Sequence, residues 1–228
     1  MRPAAAPEAA GGWRLWTPPG KEPARFASDA DGIRVESDGG VSFLARPLTV
    51  AEQAAATLTW RWRVDAAPPP TDLARRGGDD RALALHVWFP AGRDRRSTMA
   101  ATMAATLAAA AARMLGEPPP LPPDGYTLTY VWGGDRPAGT RLANPYMANA
   151  VLIVRRGSDA RLGAWADEAV DLAHDFRVAF GVAPPAPPAW LAVSTDTDAT
   201  GSRSAAHLDR LAFVAAGDGD GGGRAPER

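Results

Sequence analysis

Apolar and polar residues alternate along most of this chain in short runs, and Asp, Gly and Pro break the runs at close intervals. "ARFAS", "GIRVES", "VSFLARPLTV", "TLTWRWRV", "ALALHVWF", "YTLTYVW", "AVLIVRR", "WLAVST" and "LDRLAFV" are of strand length and rich in β-branched and aromatic residues. Many such strands at this spacing predict an all-β fold, a jelly-roll-like antiparallel β-sandwich of the galactose-binding-like kind. Successive side chains of a strand point to opposite faces. In "LTWRWRVD" this groups Leu58, Trp60, Trp62 and Val64 on a core face, with Thr59, Arg61, Arg63 and Asp65 on the other. In "RALALHVWF" the core face is Leu83, Leu85, Val87 and Phe89, leaving Ala84, His86 and Trp88 opposite. In "YTLTYVW", Tyr126, Leu128, Tyr130 and Trp132 line up together. In "WLAVSTDTD", Leu191 and Val193 are core, while Trp190, Ser194, Asp196 and Asp198 share the second face.

Two segments depart from period two. In "STMAATMAATLAAAAARMLG", Met99, Met103, Leu107, Ala110 and Met114 follow helical spacing, with Ser97 or Thr98 to cap the start and Gly116 the end. This predicts a helical insertion over about 97–116. In "GAWADEAVDLAHDFRVAFG", Trp165, Ala169, Leu172, Ala173, Phe176 and Phe180 form one apolar stripe, predicting a second peripheral helix over about 163–180. Its opposite side gathers Asp167, Asp171, His174 and Asp175, which could ligate a metal or simply face water. The expected organisation is a flexible N-terminus over 1–12, one sandwich domain over 13–214 and a disordered tail over 215–228.

Composition narrows the chemistry. The 228 residues are 46% hydrophobic, enough for a sizeable core, and contain no cysteine, which excludes disulfides, thiolate zinc sites and cysteine nucleophiles. The formal net charge is −1, so no bulk field draws the chain to nucleic acid or an anionic membrane. Lys21 is the only lysine. The uncharged, apolar-leaning run Ser97 to Ala112 is too short and too poor in large aliphatics to span a bilayer. The start lacks an apolar h-region, so no signal peptide is expected as written. No phosphate-cradling glycine loop, HExxH, GxSxG or EF-hand spacing is present.

Candidate chemistry concentrates on the second faces and the strand ends. Arg61, Arg63, Asp65, His86 and Trp88, together with Trp132 and Asn144, are the candidate ligand-facing residues. Aromatic rings against sugar C–H groups, rimmed by Arg and Asp, suit carbohydrate recognition. A sandwich open to water on its outer faces gives the same pattern without any ligand. Acidic residues gather at strand ends: Asp79 and Asp80 in "RRGGDDRA", Asp196 and Asp198 in "STDTDAT". Carboxylates there commonly cap turn N–H groups. They could also hold a cation, most naturally Ca²⁺, or act as paired acid and base at a glycosidic bond. Asp196 and Asp198 are expected to meet Asp79 and Asp80 at one end of the sheet, with Arg81 or Arg203 neutralising them if no cation does.

The motifs "TWRWRVD", "GDDRALALHVWF", "LTYVWGGDRPAGTRLANPY", "VLIVRRG", "GAWADE…DFRVAFG" and "AVSTDTDATGS…LDRLAF" occur in this order and together resemble the bacterial domain-of-unknown-function 3047 family, from about Trp13 to Phe213. The resemblance carries no established activity; it implies periplasmic location or export, since members often carry an export signal. The closing "HLDRLAF" is similar to the last strand of carbohydrate-binding jelly rolls. The expected role is a non-catalytic binding module for a carbohydrate or other polar envelope component. The alternatives are a carboxylate-dependent glycoside hydrolase or lyase, and a structural or assembly protein that uses the Met99–Met114 helix as its contact.

Overall fold

The computed structural model describes residues 12–92 and 124–215. The helix expected over 97–116, and nearly all of the two ends expected to be loose, lie outside the described residues. What is described is an all-β, jelly-roll-like sandwich of two sheets. In chain order the elements are β1 (Arg14–Trp16), β2 (Arg25–Asp29), β3 (Gly32–Asp38), β4 (Val41–Pro47), α1 (Val50–Gln53), β5 (Thr57–Ala66), β6 (Arg81–Phe89), β7 (Tyr126–Trp132), β8 (Arg141–Ala143), β9 (Ala150–Arg156), β10 (Ala166–Asp171), α2 (Leu172–Phe180), β11 (Trp190–Asp196) and β12 (Arg203–Val214). One sheet has seven strands in the order β1-β4-β11-β6-β7-β9-β8; the other has five, β10-β5-β12-β3-β2. Pairing is antiparallel except at β7 and β9, which run parallel. That pair corrects the expectation of an antiparallel sandwich throughout. The chain leaves β7, forms β8 at the sheet edge, and returns as β9 between the two.

The core is the face that alternation assigned to it. Leu58, Trp60, Trp62 and Val64 of β5 meet Leu83, Leu85, Val87 and Phe89 of β6, with Leu128 and Tyr130 of β7 and Leu191 and Val193 of β11. Aromatic rings bridge the two sheets. Trp60 packs on Trp62 and on Tyr130, each at 5.4 Å between centroids, and Trp62 packs on Trp132 at 5.5 Å. Edge-on and tilted contacts of this kind add to the burial of large rings. Trp132 is thus an interior residue, not a ligand-facing one: it sits at the same parity as Leu128 and Tyr130, which point inward.

The segment expected as one helix over 163–180 is half strand. Ala166–Asp171 pairs antiparallel with β5, in register from Ala166 opposite Trp62 to Asp171 opposite Thr57. Asp171 then caps α2, its carboxylate accepting the N–H of His174 at 2.8 Å, and Gly181 ends the helix in the left-handed region at φ 74°. Phe176 packs on Phe89 and Tyr126, closing one end of the core. The Asp/His metal face does not form, because Asp171 is the cap and Asp175 accepts from Tyr130 and Arg141. The inward residue that disguised β10 is Glu168. It is buried and accepts from Trp62 Nε1, Arg155 and Arg156, so it ties the edge of the five-stranded sheet to β9 of the other. No helix among the described residues is long and apolar enough to cross a membrane.

Candidate functional site

The outer face of the seven-stranded sheet carries a pocket of about 500 Å³. Its floor is built from neighbouring strands: Phe43 of β4, Asp196 of β11, Arg81 and His86 of β6, Thr127 and Thr129 of β7, and Leu152 of β9. Its walls are Trp16, Pro18 and Lys21 on one side, Asn144 to Met147 on another, and Asp79 with Asp198 at the acidic end.

A row of side chains crosses the floor perpendicular to the strands. Trp16 packs on Phe43 at 5.6 Å, and Phe43 packs on His86 at 5.5 Å. His86 Nε2 lies 2.8 Å from Ser194 Oγ and its Nδ1 lies 3.0 Å from Thr129 Oγ1, so both ring nitrogens are engaged. Burial, aided by the charge of Arg81, pushes the imidazole pKa down to about 3 and keeps it neutral. Ser194 is fully buried and no carboxylate orients the imidazole, so these residues form a positioning relay rather than a nucleophilic triad. Thr127 is almost wholly buried, and its hydroxyl has no hydrogen-bond partner among the described residues.

The acidic end depends on an irregularity in β6. Ser194 pairs with Ala84, but Asp196 pairs with Arg81, so Ala82 and Leu83 together oppose Thr195. Such a bulge shifts the alternation by one. Without it Arg81 would share the inward face with Leu83 and Leu85; with it the guanidinium turns out toward Asp196. Gly133 makes room: at φ 147° it lies against the Arg81 backbone, where a Cβ would come within 3.1 Å of Arg81 Cα.

All four acidic candidates meet here. One carboxylate oxygen from each of Asp80, Asp196 and Asp198 lies within 4.8 Å of the others, a spacing that could hold a cation. Each nonetheless has a protein partner. Asp80, fully buried, accepts the N–H groups of Ala199 and Thr200 at 3.1 and 2.9 Å, and the Thr200 hydroxyl at 2.5 Å, locking the β11–β12 turn. Asp198 pairs with Lys21 at 2.5 Å, which raises the lysine pKa through that hydrogen bond. Asp79 accepts from the Tyr146 hydroxyl at 3.1 Å, and Arg81 Nη1 lies 3.4 Å from both Asp79 and Asp196. Arg81 and Lys21 therefore supply the neutralising charge; Arg203 is elsewhere, paired with Asp38. Asp196 is the least satisfied of the four, with two contacts of 3.4 Å. Burial is the main cause that raises its pKa to about 7, and Asp79, Asp198 and Asp80 add to it; Arg81 acts the other way but at too long a range to prevail.

The chain matches, over residues 12–212, the family described as "Protein of unknown function (DUF3047)". It belongs to this family. Similar solved structures include the xyloglucanase domain of NopAA, a type three effector from Sinorhizobium fredii, in complex with cellobiose, at 7% identity and TM-score 0.44, covering 88% of this chain and 91% of that one. The K2 cleaved adhesin domain of Lys-gingipain is similar at 12% identity and TM-score 0.41, covering 94% and 95%. The family 11 xylanase from Neocallimastix patriciarum is similar at 11% and 0.36, covering 88% and 98%. No curated protein matches the chain.

Not all the candidates come together. His86, Asn144, Asp79, Asp196 and Asp198 line the pocket, and Asp80 lies directly behind it. Trp88 is buried against Gly125 and does not line it. Arg61, Arg63 and Asp65 were expected beside His86 and Trp88 but lie on the other side of the molecule. β5 and β6 belong to different sheets, so their outward faces point away from each other through the core. There Arg61 pairs with Asp209 at 2.7 Å and Arg63 with Asp65 at 2.9 Å, and both guanidinium groups lie over Trp165. The pocket also uses Trp16, Lys21, Phe43, Tyr146 and Thr127, which the strand pattern did not single out. Tyr146 directly follows the Asn144–Pro145 pair of the family-like motif, and that adjacency was the one signal pointing to it.

Proposed function

We propose that the chain binds a polar, saccharide-sized ligand in the pocket on the outer face of the seven-stranded sheet. The observation that carries this reading is the make-up of the lining, where the aromatic residues Trp16, Phe43 and Tyr146 share about 500 Å³ with Asp79, Asp196, Asp198 and Arg81. That volume falls in the range of small-molecule sites, roughly 300–1,000 Å³. Rings pack on the C–H faces of a sugar, while carboxylates and a guanidinium exchange hydrogen bonds with its hydroxyls. Asn144 supports the ligand wall: its Oδ1 accepts the N–H groups of Tyr146 and Met147 at 2.8 and 3.2 Å, fixing the turn that carries Tyr146.

The ligand is best sought among bacterial envelope glycans, in keeping with the export implied by the family resemblance. Calorimetry against a panel of such glycans should find at least one binder, with affinity of about micromolar to millimolar, as open polar sites usually give. Tyr146→Ala and Phe43→Ala should weaken it about tenfold or more without a change in fold. A panel without a binder, or variants that bind as the wild type does, would remove this reading.

A further inference from the structure

Two carboxyl groups of the pocket share one cation. Asp79 Oδ2 and Asp196 Oδ2 each lie 3.4 Å from the same nitrogen, Nη1 of Arg81, and both residues line the pocket. Two oxygens 3.4 Å from one atom are at most twice that distance apart. That ceiling lies at the short end of the separation of two inverting carboxyl groups, about 6.5–9.5 Å, and the range beneath it takes in the roughly 5–5.5 Å of a retaining pair. The pair is also asymmetric. Asp79 accepts from the Tyr146 hydroxyl as well as facing Arg81, while Asp196 is buried and has only contacts of 3.4 Å. An independent feature of the same pocket points to a ligand: the Thr127 hydroxyl on its floor is buried without a partner among the described residues.

We propose that the pocket hydrolyses a glycosidic bond with retention, Asp79 acting as nucleophile and Asp196 as acid and then base. This rests on the saccharide-binding reading above. In the first step an Asp79 carboxylate oxygen bonds to the anomeric carbon. The bond from that carbon to the glycosidic oxygen breaks, and the oxygen takes the carboxyl proton of Asp196. In the second step the Asp196 carboxylate takes a proton from water, the water oxygen bonds to the anomeric carbon, and the ester to Asp79 breaks. Both carboxyl groups end as they began, and the sum is addition of one water across the glycosidic bond. The first step needs a protonated Asp196. Burial amid Asp79, Asp80 and Asp198, against Arg81, lifts its pKa to about 7, so the proton is available near neutral pH. Arg81 is a positioning residue that holds both carboxyl groups at one spot.

The test uses the full chain with a panel of peptidoglycan and other bacterial envelope oligosaccharides, reading binding by calorimetry and cleavage by new reducing ends. The expected result is cleavage of a bound oligosaccharide, with turnover falling as pH rises through about 7. Asp196→Asn and Asp79→Asn should each lower turnover at least 100-fold while still binding the oligosaccharide. Azide should restore cleavage by Asp79→Gly, giving a glycosyl azide of inverted configuration. Binding with no cleavage overturns the hydrolytic proposal and leaves the binding reading standing. Neither binding nor cleavage overturns both. Cleavage that survives Asp79→Asn and Asp196→Asn assigns the chemistry to other residues and overturns the roles of nucleophile and acid for this pair.

Discussion

β5 and β6 start from similar patterns, a core face of large apolar residues and a second face that includes basic or aromatic side chains. They end in opposite conditions. Along β5, exposure alternates and the outward residues stay partly open; along β6, all nine positions are buried. On β5, charges are settled within the sheet. Arg61 reaches Asp209 on the adjacent strand, Arg63 reaches Asp65 two residues on, and Trp165 lies under both guanidinium groups. Over β6, walls from distant parts of the chain rise around the strand, and His86 and Arg81 are left at the bottom of a cavity. The lesson is that a polar second face becomes a site only when neighbouring segments enclose it and leave some of its hydrogen-bonding capacity unused.

The largest effect expected from testing this contrast lies on the face the two strands share. Trp60→Ala or Trp62→Ala should cost about 3–5 kcal/mol in denaturant unfolding, because the two rings are buried against each other and against Tyr130 and Trp132, respectively, of the opposite sheet. A midpoint near that of the wild type would mean that the interior repacks.

Next comes Asp196. Its folded-state pKa of about 7 exceeds the unfolded value of 3.8, so between those values the native protein holds the extra proton and loses stability as pH rises. Asp196→Asn should remove that slope and gain on the wild type by about 3 kcal/mol between pH 5 and pH 8. His86 works with the opposite sign. Its pKa falls from 6.5 to about 3 on folding, so its contribution is complete above 6.5 and lost as pH drops toward 3. In the wild type the two slopes oppose each other. In Asp196→Asn the histidine slope should stand uncovered, with acid unfolding beginning at higher pH relative to the neutral plateau. Parallel stability curves for the two proteins would count against the burial of Asp196.

On the outer face of β5, Arg61→Ala or Trp165→Ala should change stability by no more than about 1 kcal/mol, the usual size for partly exposed ion pairs and cation–π contacts. Neither should alter ligand binding, which a glycan titration of each variant would check. The smallest expected effect is that of calcium. With Arg81 and Lys21 already neutralising the carboxylates, the melting temperature should be the same with excess calcium and with chelator. A rise that disappears in Asp198→Asn would show that a cation displaces Lys21.

Much of this was legible in the sequence, for a specific reason. Period-two alternation fixes which side chains share a face, so the core residues of β5, β6, β7 and β11 could be read directly. Alternation says nothing about which sheet a strand joins, and so Arg61 and His86 could be placed on one surface when they face opposite ways. Turn chemistry brought Asp79, Asp80, Asp196 and Asp198 to one end of the sheet, but the bulge that turns Arg81 toward them left no mark beyond one small residue, Ala82. β10 was hidden because its inward position is Glu168; a charged residue pointing into the protein breaks the apparent alternation, and the remaining apolar residues then fall at helical spacing. The pocket walls come from residues far apart in the chain, and no local pattern links Trp16 to Tyr146.

The acidic end of the pocket lies where the chain twice crosses from one layer of the sandwich to the other. β3 passes to β4 through Gly39 and Gly40, and β11 passes to β12 through residues 197–202; β3 and β12 belong to one sheet, β4 and β11 to the other. The two crossings are stitched together. The Gly39 N–H reaches the Ser202 carbonyl, the Thr197 N–H reaches the Gly40 carbonyl, and the Thr195 and Ser204 hydroxyls meet at 2.8 Å. Asp80 adds a third thread from the start of β6. In mechanical terms this corner is a seam. Sliding one sheet over the other here would have to break these hydrogen bonds and strain the two chain crossings. The carboxyl groups of Asp79 and Asp196 thus sit beside a joint where chain crossings and hydrogen bonds tie the two layers together.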